Sequence, residues 1–204
     1  MDLVLKILLV ALPSYLIGSI PSSYITGKLL KGIDLRQHGS GNLGAANTFR
    51  VLGIRAALPV LLFDMGKGFI AVRYFSRFSG PEIAFALVAA LAVVIGHNYS
   101  VFVRFSGGKG VGATAGAFLA LAPHAVAMCV GLWIITLLVT RIVSVASIIS
   151  AVFLPVSVPI ANRLFSAGIH YSVWILAVAA AAVVVVKHRP NIKRLRDGTE
   201  KRIF

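Results

Sequence analysis

The chain has few acidic residues. It contains 6 Asp and Glu against 20 Lys and Arg, which gives a formal net charge of +14. The acids stand far apart, at Asp2, Asp34, Asp64, Glu82, Asp197 and Glu200. A Mg²⁺ or Ca²⁺ site needs several oxygen ligands close together, so this scatter argues against a metal-dependent transferase. We expect neither a metal nor a cofactor.

Cysteine is also scarce, because Cys129 is the only one and lies within an apolar run. This excludes a disulfide framework and a cysteine-ligated metal site. We interpret Cys129 as a residue of core packing or lipid contact.

Hydrophobic residues are abundant, at 58% of the chain against 13% charged, with a mean hydropathy of +0.92. A soluble fold could not bury that much apolar surface. Since one membrane span needs about 20 apolar residues, 204 residues accommodate roughly six or seven spans and no separate soluble domain. We predict an all-α, polytopic integral membrane protein with a single domain over 1–204.

The apolar runs predict seven spans, and the positive-inside rule orients them. The runs lie near 3–25, 54–76, 82–98, 110–122, 124–140, 143–162 and 171–187. One long tilted helix over 110–140 is the alternative to the fourth and fifth. Seven spans place 15 of the 20 basic residues on one side, namely Lys28, Lys31, Arg36, Arg50, Arg55, Arg104, Lys109, Arg141, Lys187, Arg189, Lys193, Arg194, Arg196, Lys201 and Arg202. We therefore predict an outside N-terminus and a cytoplasmic C-terminus.

The large positive charge favours an acidic partner. The basic residues lie in short loops between spans rather than on one continuous surface, so a nucleic acid is not expected. Lipid headgroups and phosphorylated small molecules remain.

Three polar segments lie on the predicted cytoplasmic side. The first runs from Gly39 to Arg50 and has glycines that let backbone N–H groups converge on an anion, with Ser, Asn and Arg as further donors. The second combines Gly96–Tyr99 with Gly107–Gly110, where a glycine-flanked lysine precedes a span. It is not a nucleotide P-loop, because Val103 and Gly110 stand where that motif needs Gly and Ser or Thr.

The third segment is the basic tail that begins at Lys187. Anchoring to anionic lipid explains most of its charge, whereas His188 and Asn191 add nothing to anchoring.

Two further pairs share a helix face at i and i+3. We interpret Asp64 and Lys67 as an ion pair within a span, and Ser144 and Ser147 as either packing or site residues.

Taken together and in order, the three segments resemble the bacterial membrane acyl-phosphate:glycerol-3-phosphate acyltransferase family. The resemblance implies transfer of a fatty acyl group from acyl-phosphate to the sn-1 hydroxyl of glycerol 3-phosphate, forming lysophosphatidic acid for phospholipid synthesis. It also implies a multi-pass protein of the bacterial inner membrane with a cytoplasmic active site and the same seven-span layout. We expect the protein to act as a monomer in contact with membrane lipid.

The resemblance also implies the site residues. Those matched for binding substrate and phosphate are Ser40, Gly41, Asn42, Gly44, Asn47, Arg50, Gly107, Gly108, Lys109, Gly110, Ser147 and His188. Those matched for catalysis are Arg50, Lys109, His188 and Asn191. Ala46 and Ser106 depart from the family, which usually has Thr and often Lys at these places.

Acyl-phosphate is already activated, so no protein nucleophile is needed. Arg50 and Lys109 would hold phosphates, and Asn191 would donate to the oxyanion. The base is either His188 or a substrate phosphate.

A transporter for a phosphorylated or anionic compound is the alternative function. It is disfavoured because the sequence shows no internal repeat and the polar segments lie at one edge of the membrane. The pattern His-x-x-x-x-Asp of acyl-CoA-dependent acyltransferases is absent from the sequence.

Overall fold

The computed structural model describes residues 2–203, which form ten α-helices and no strand. The helices are α1 (Leu3–Ser19), α2 (Ser22–Lys31), α3 (Ala45–Leu52), α4 (Ile54–Arg73), α5 (Ile83–Asn98), α6 (Val111–Leu121), α7 (Pro123–Thr140), α8 (Val143–Phe165), α9 (Tyr171–Lys187) and α10 (Arg189–Arg196). Hydrocarbon offers no hydrogen-bond partner to backbone N–H and C=O groups, and a helix pairs these groups within itself. The helices of the described residues confirm the predicted all-α class. The chain forms two compact units, Met1–Ala120 and Leu121–Phe204.

Four segments among the described residues are long and apolar enough to cross a membrane: Leu3–Lys31, Ile83–Val103, Pro123–Thr140 and Val143–Phe165. α9 and α10, bent by 55° at their junction, would together make a fifth. α6 is apolar but has only 11 residues, and α4 contains four charged residues. The protein is thus multi-pass, while the number seven and the sidedness of the termini stay predictions.

In the first unit, the predicted span 3–25 is interrupted. α1 ends at Ser19 and α2 begins at Ser22, after Ile20 and Pro21. Proline lacks the backbone donor that would continue the helix, and it disfavours helical geometry in the residue before it. The break places the Ile20 carbonyl inside the unit, where it accepts a hydrogen bond from Lys67 Nζ at 3.2 Å.

Close contacts of small residues fix the helices of the first unit. A Cβ added to Gly18 would overlap the backbone of Val93, and one added to Gly96 would overlap the backbone of Tyr15 and Ser19. α1 and α5 therefore approach each other closely, as membrane helices do through small residues. α4 and α6 meet in the same way, since a Cβ on Gly68 would overlap Ala113.

The predicted loop 26–53 is largely folded. α2 continues to Lys31 and ends at Gly32, whose φ of 67° favours glycine. A short 3₁₀ turn and α3 follow. Leu35, Leu43 and Val103 form a small buried core beneath them, so the first polar segment has its own apolar support.

In the second unit, α7 starts with Pro123 at its first position, after a non-helical Ala122. The residues 110–140 therefore form two helices and not one long helix, while the prediction that both cross the membrane stays a prediction. α7 packs on α8 and α8 on α9. The predicted tail contains a helix, because the chain turns at His188 and continues as α10.

Candidate functional site

Asn47 organises the first polar segment. Its side-chain Oδ1 accepts hydrogen bonds from the Ser40 backbone N–H at 2.7 Å and the Ser40 hydroxyl at 3.1 Å. Its Nδ2 donates to the carbonyls of Leu35 at 3.1 Å and His38 at 3.0 Å. Asn47 is only 1% exposed, so both ends of its amide are used within the loop.

Glycine is needed beside this amide. Gly39 has a φ of 64°, and a Cβ there would overlap Asn47 Oδ1. Gly41 also has positive φ, at 72°. The loop then reaches Gly44, the extended residue that precedes α3. Around the loop, Ser40 is exposed, whereas Gly41, Asn42, Gly44 and Arg50 are half-buried.

The start of α3 is fixed by a buried hydroxyl pair. Thr48 Oγ1 lies 2.8 Å from Ser23 Oγ, and the Thr48 hydroxyl also reaches the Gly44 carbonyl at 3.1 Å. This pair connects α3 to α2. Ala46 is half-buried on the same helix.

The loop Gly107–Gly110 folds onto the end of α5. The Gly108 N–H donates to the His97 carbonyl at 3.0 Å. A Cβ on Gly107 would overlap the backbone of His97 and Asn98, and one on Gly108 would overlap the His97 ring and the Leu43 carbonyl. Gly110, with a φ of 83°, leads into α6. These glycines let backbone approach backbone.

The first two polar segments are therefore in contact, since Leu43 belongs to the first and Gly108 to the second. Lys109 is half-buried within its glycine loop, and Ser106 before it is exposed. That all three polar segments share one site stays a prediction. The arrangement presents a basic group and glycine backbone in one region, which suits a phosphate.

An ion pair closes the turn before the first segment. Arg36 donates to Asp34 at 2.6 Å and its guanidinium also reaches the Val103 carbonyl at 3.2 Å. The hydrogen bond from Arg36 lowers the pKa of Asp34 below its ordinary value. Arg36 is thereby committed to holding the turn.

A second polar cluster lies deeper in the first unit. Lys67 Nζ is 2.8 Å from Asp64 Oδ1, and both residues are buried. The predicted ion pair is confirmed. The sequence did not single out Ser22, which donates to the same oxygen at 2.8 Å, and it placed His97 only within a motif.

In the second unit, His188 is 4% exposed at the junction of α9 and α10. Its Nδ1 lies 2.7 Å from the Val184 carbonyl. Because a carbonyl can only accept, Nδ1 carries the proton, and in the neutral ring Nε2 is the basic nitrogen. The fold thus sets the tautomer.

Asn191 and Glu200 form the polar centre of this unit. Glu200 Oε1 accepts from Asn191 Nδ2 at 2.6 Å and from the Ser144 hydroxyl at 2.8 Å. Its Oε2 accepts from Arg194 Nε at 2.6 Å. Burial acts to raise the pKa of Glu200, but the hydrogen bonds from Arg194, Asn191 and Ser144 outweigh it and lower that pKa. The carboxylate is held in its charged form.

Ser147 is buried and accepts a hydrogen bond from Trp133 Nε1 at 3.2 Å. Ser144, one turn earlier, contacts Glu200 instead. The two serines thus lie near different partners, although they share a helix face. The prediction that Ser147 and the third segment contribute to the site stays a prediction.

Glu200 is another residue whose role the sequence analysis missed. The available signal was an acid six positions after Arg194 in a basic tail, where charge pairing is expected. Within residues 2–203, no group of three or more His, Cys, Asp or Glu side chains is placed to hold a metal ion.

Comparison with known proteins gives one answer. The family model described as glycerol-3-phosphate acyltransferase matches residues 8–198. A glycerol-3-phosphate acyltransferase of Chlorobaculum parvum is 42% identical, with 93% of each chain covered. That of Chlorobaculum tepidum is 40% identical, covering 98% of this chain and 97% of the relative.

Solved structures agree with these relatives. The crystal structure of PlsY, an integral membrane glycerol 3-phosphate acyltransferase in its glycerol 3-phosphate form, matches with a TM-score of 0.85 and 36% identity, covering 96% of this chain and 94% of that one. The lysophosphatidic acid form of PlsY matches with a TM-score of 0.82 and 35% identity over the same shares.

Proposed function

The chain belongs to the glycerol-3-phosphate acyltransferase family, and we propose that it transfers a fatty acyl group from acyl-phosphate to the sn-1 hydroxyl of glycerol 3-phosphate. The product is lysophosphatidic acid, a precursor of membrane phospholipid. The contact between the Gly39–Arg50 segment and the Gly107–Gly110 loop carries the proposal. It joins the two segments that contain the residues best suited to hold phosphate.

Phosphate binding falls to the first unit. Arg50 provides a planar cation and Lys109 a point charge between glycines. The glycines Gly41, Gly44, Gly107 and Gly110 let the backbone approach a phosphate closely, and the side chains of Ser40 and Asn42 supply further donors. Asn47 acts indirectly, because its amide shapes the loop.

No protein nucleophile is required, because acyl-phosphate is an activated donor with phosphate as its leaving group. The hydroxyl of glycerol 3-phosphate attacks the acyl carbon, loses its proton and displaces phosphate. The protein's contribution is to position two phosphate-bearing molecules and stabilise the developing oxyanion.

His188 is our candidate for the base. Its Nδ1–H is directed to the Val184 carbonyl, which makes Nε2 the nitrogen that takes a proton. A substrate phosphate is the alternative base. His188→Gln distinguishes them, because loss of a histidine base removes the acidic limb of the pH–rate profile, whereas a phosphate base leaves that limb in place.

Asn191 is the proposed oxyanion donor. One hydrogen of its Nδ2 is directed to Glu200, which fixes the plane of the amide and hence the direction of the other N–H. Ser147 is proposed to bind substrate beside it. Asn191→Leu retains the approximate size of the side chain, removes the donor and adds no charge beside Glu200, so kcat falls while KM changes little.

We further propose seven spans in the bacterial inner membrane, with an outside N-terminus, a cytoplasmic active site and a monomeric protein. The distribution of Lys and Arg supports this orientation. A cysteine placed at Lys31 should react with a membrane-impermeant thiol reagent only after the cells are opened. Labelling of intact cells would reverse the proposed orientation.

The enzyme test uses purified protein in detergent. It should form lysophosphatidic acid from acyl-phosphate and glycerol 3-phosphate without added metal, and Lys109→Ala should abolish this. Lys31→Ala, an exposed lysine of the same unit, is the matched control and should retain activity. A requirement for acyl-CoA would refute the proposed donor.

Transport of an anionic compound is the rival function. Protein reconstituted in vesicles without acyl-phosphate should move no labelled glycerol 3-phosphate across the bilayer. Uptake under those conditions, together with no lysophosphatidic acid, would replace the enzyme assignment.

A further inference from the structure

Three ionisable side chains lie together in a buried part of the first unit, on helices that the sequence predicts to span the membrane. A membrane-spanning helix does not need such charges. Asp64, Lys67 and His97 are 3%, 2% and 7% exposed. Lys67 Nζ lies 2.8 Å, and His97 Nδ1 lies 3.6 Å, from the same oxygen, Asp64 Oδ1. Buried charges are costly unless they are paired or have a function. None of the three has a part in the proposed chemistry.

The cluster connects three parts of the unit. Ser22, at the start of α2, donates to Asp64 Oδ1 at 2.8 Å. Lys67, one turn from Asp64 on α4, donates to the Ile20 carbonyl at the break between α1 and α2 at 3.2 Å. His97 comes from the end of α5. Asp64 Oδ1 is thus the atom on which Ser22 of α2, Lys67 of α4 and His97 of α5 converge.

His97 faces the glycine loop with its other edge. A Cβ on Gly108 would overlap His97 Nε2, and the Gly108 N–H donates to the His97 carbonyl at 3.0 Å. One edge of the imidazole therefore meets Asp64 while the other lies directly beneath the residue before Lys109.

Asp64 also lies against the start of α6, the helix that follows the loop. A Cβ on Gly112, in the first turn of α6, would lie 3.0 Å from Asp64 Cβ. The Gly107–Gly110 loop is accordingly flanked by His97, which contacts Gly108 on the α5 side, and by the close approach of Asp64 to Gly112 at the start of α6. A small pocket beside it is lined by Ser22, Lys67, His97, Gly107 and Gly108, among others.

We infer that Asp64 and His97 are positioning residues, which hold the Gly107–Gly110 loop, and through it Lys109, in the geometry that binds a substrate phosphate. Lys67 neutralises Asp64 and fastens it to the helix break. The inference rests on the proposed function. It adds that the buried ion pair, through His97, supports the conformation of the Gly107–Gly110 loop.

Two substitutions of one residue test which edge of the ring matters. In His97→Asn, the amide reaches the place of Nδ1 beside Asp64, and the loop side is left empty. In His97→Gln, the amide reaches the place of Nε2 and supports Gly108. We expect His97→Asn to raise the KM of one phosphate-bearing substrate about tenfold with kcat within about threefold, and His97→Gln to raise it clearly less.

The KM values of glycerol 3-phosphate and acyl-phosphate are measured separately, because either phosphate is chemically suited to the loop. A rise for one substrate alone identifies the phosphate held there. Unchanged KM values for both, or an equal rise for both, would overturn the inference, since neither outcome reflects a specific phosphate contact.

A second variant keeps the inference testable if His97→Asn fails to fold. The double substitution Asp64→Leu with Lys67→Met replaces the ion pair by apolar groups of similar size and leaves no lone buried charge. It removes the support of His97 and should reproduce the KM rise of His97→Asn. A folded double variant with wild-type KM values would also refute the inference. His124→Asn, an exposed histidine of the second unit, is the matched control.

The two proposals fail in different ways. Wild-type protein that makes no lysophosphatidic acid from acyl-phosphate contradicts the proposed function, whatever the His97 variants do. Active wild type with inactive Lys109→Ala but normal His97→Asn contradicts only the positioning role.

Discussion

Asn191 donates its side-chain Nδ2 hydrogen to Glu200 Oε1 at 2.6 Å, and the Glu200 side chain is only 2% exposed. A residue proposed for catalysis is therefore held by a buried carboxylate nine positions later in the chain. Ser144 and Arg194 complete the set of donors to that carboxylate. Glu200 is the structural centre of the third polar segment.

Glu200→Ala should destabilise the protein strongly. It leaves three buried or partly buried donors without their acceptor, and a hydrogen bond to a charged group contributes about 1.5–3 kcal/mol. We expect a midpoint of thermal unfolding in detergent lower by about 5 °C or more. Glu200→Gln retains an acceptor and should lose less. Equal, near-zero shifts in both variants would show that the network does not support the fold.

The stability of the protein should fall in acid through Glu200. Its pKa is lowered in the folded state from an ordinary value of 4.5, so the fold favours the carboxylate. This stabilisation is present in full above the ordinary pKa and is lost as pH falls through the lower, folded value. Unfolding midpoints measured from pH 7 to pH 3 should decline more steeply for wild type than for Glu200→Gln. Parallel curves would contradict this assignment.

Asn47→Ala should damage the first segment by collapse of its loop. The substitution leaves the Leu35 and His38 carbonyls and the Ser40 N–H without the partner they now have. We expect a loss of about 2 kcal/mol or more in stability, read as a lower unfolding midpoint, together with lost activity. Asn42→Ala in the same loop is the control for stability and should unfold near the wild-type temperature.

Gly108→Ala should abolish or greatly reduce activity. Its Cβ would overlap both the His97 ring and the Leu43 backbone carbonyl, so the loop must move. Gly66→Ala is the matched control, because a Cβ there meets nothing within 4 Å and alanine favours a helix by about 1 kcal/mol over glycine. The initial rates and unfolding midpoints of the two variants are compared with those of the wild type. A fully active Gly108→Ala variant would mean that the contact between the segments is unimportant.

Hydropathy predicted the long helices well because a span in hydrocarbon has to be both apolar and helical. The break at Pro123 was visible in the sequence because it lies between the apolar runs 110–122 and 124–140. The break at Ile20 was not predicted, since the apolar run continues past Pro21 and the compensating contact comes from Lys67, far along the chain.

The site was predicted unevenly. Glycine-rich segments and basic residues were visible because their chemistry is local. The use of Asn47 within its own loop and the role of Glu200 depend on partners brought close by folding. The short helices α3 and α10 lie outside the apolar runs, and hydropathy therefore gave no signal for them.

The last residues that the structure describes have a practical meaning. The Ile203 N–H donates to the Arg141 carbonyl at 2.8 Å, at the turn between α7 and α8, and Glu200 is buried just before it. Deletion of the residues after Arg196 would therefore remove contacts that stabilise the second unit. Anyone engineering this end for purification should add sequence beyond it and trim none.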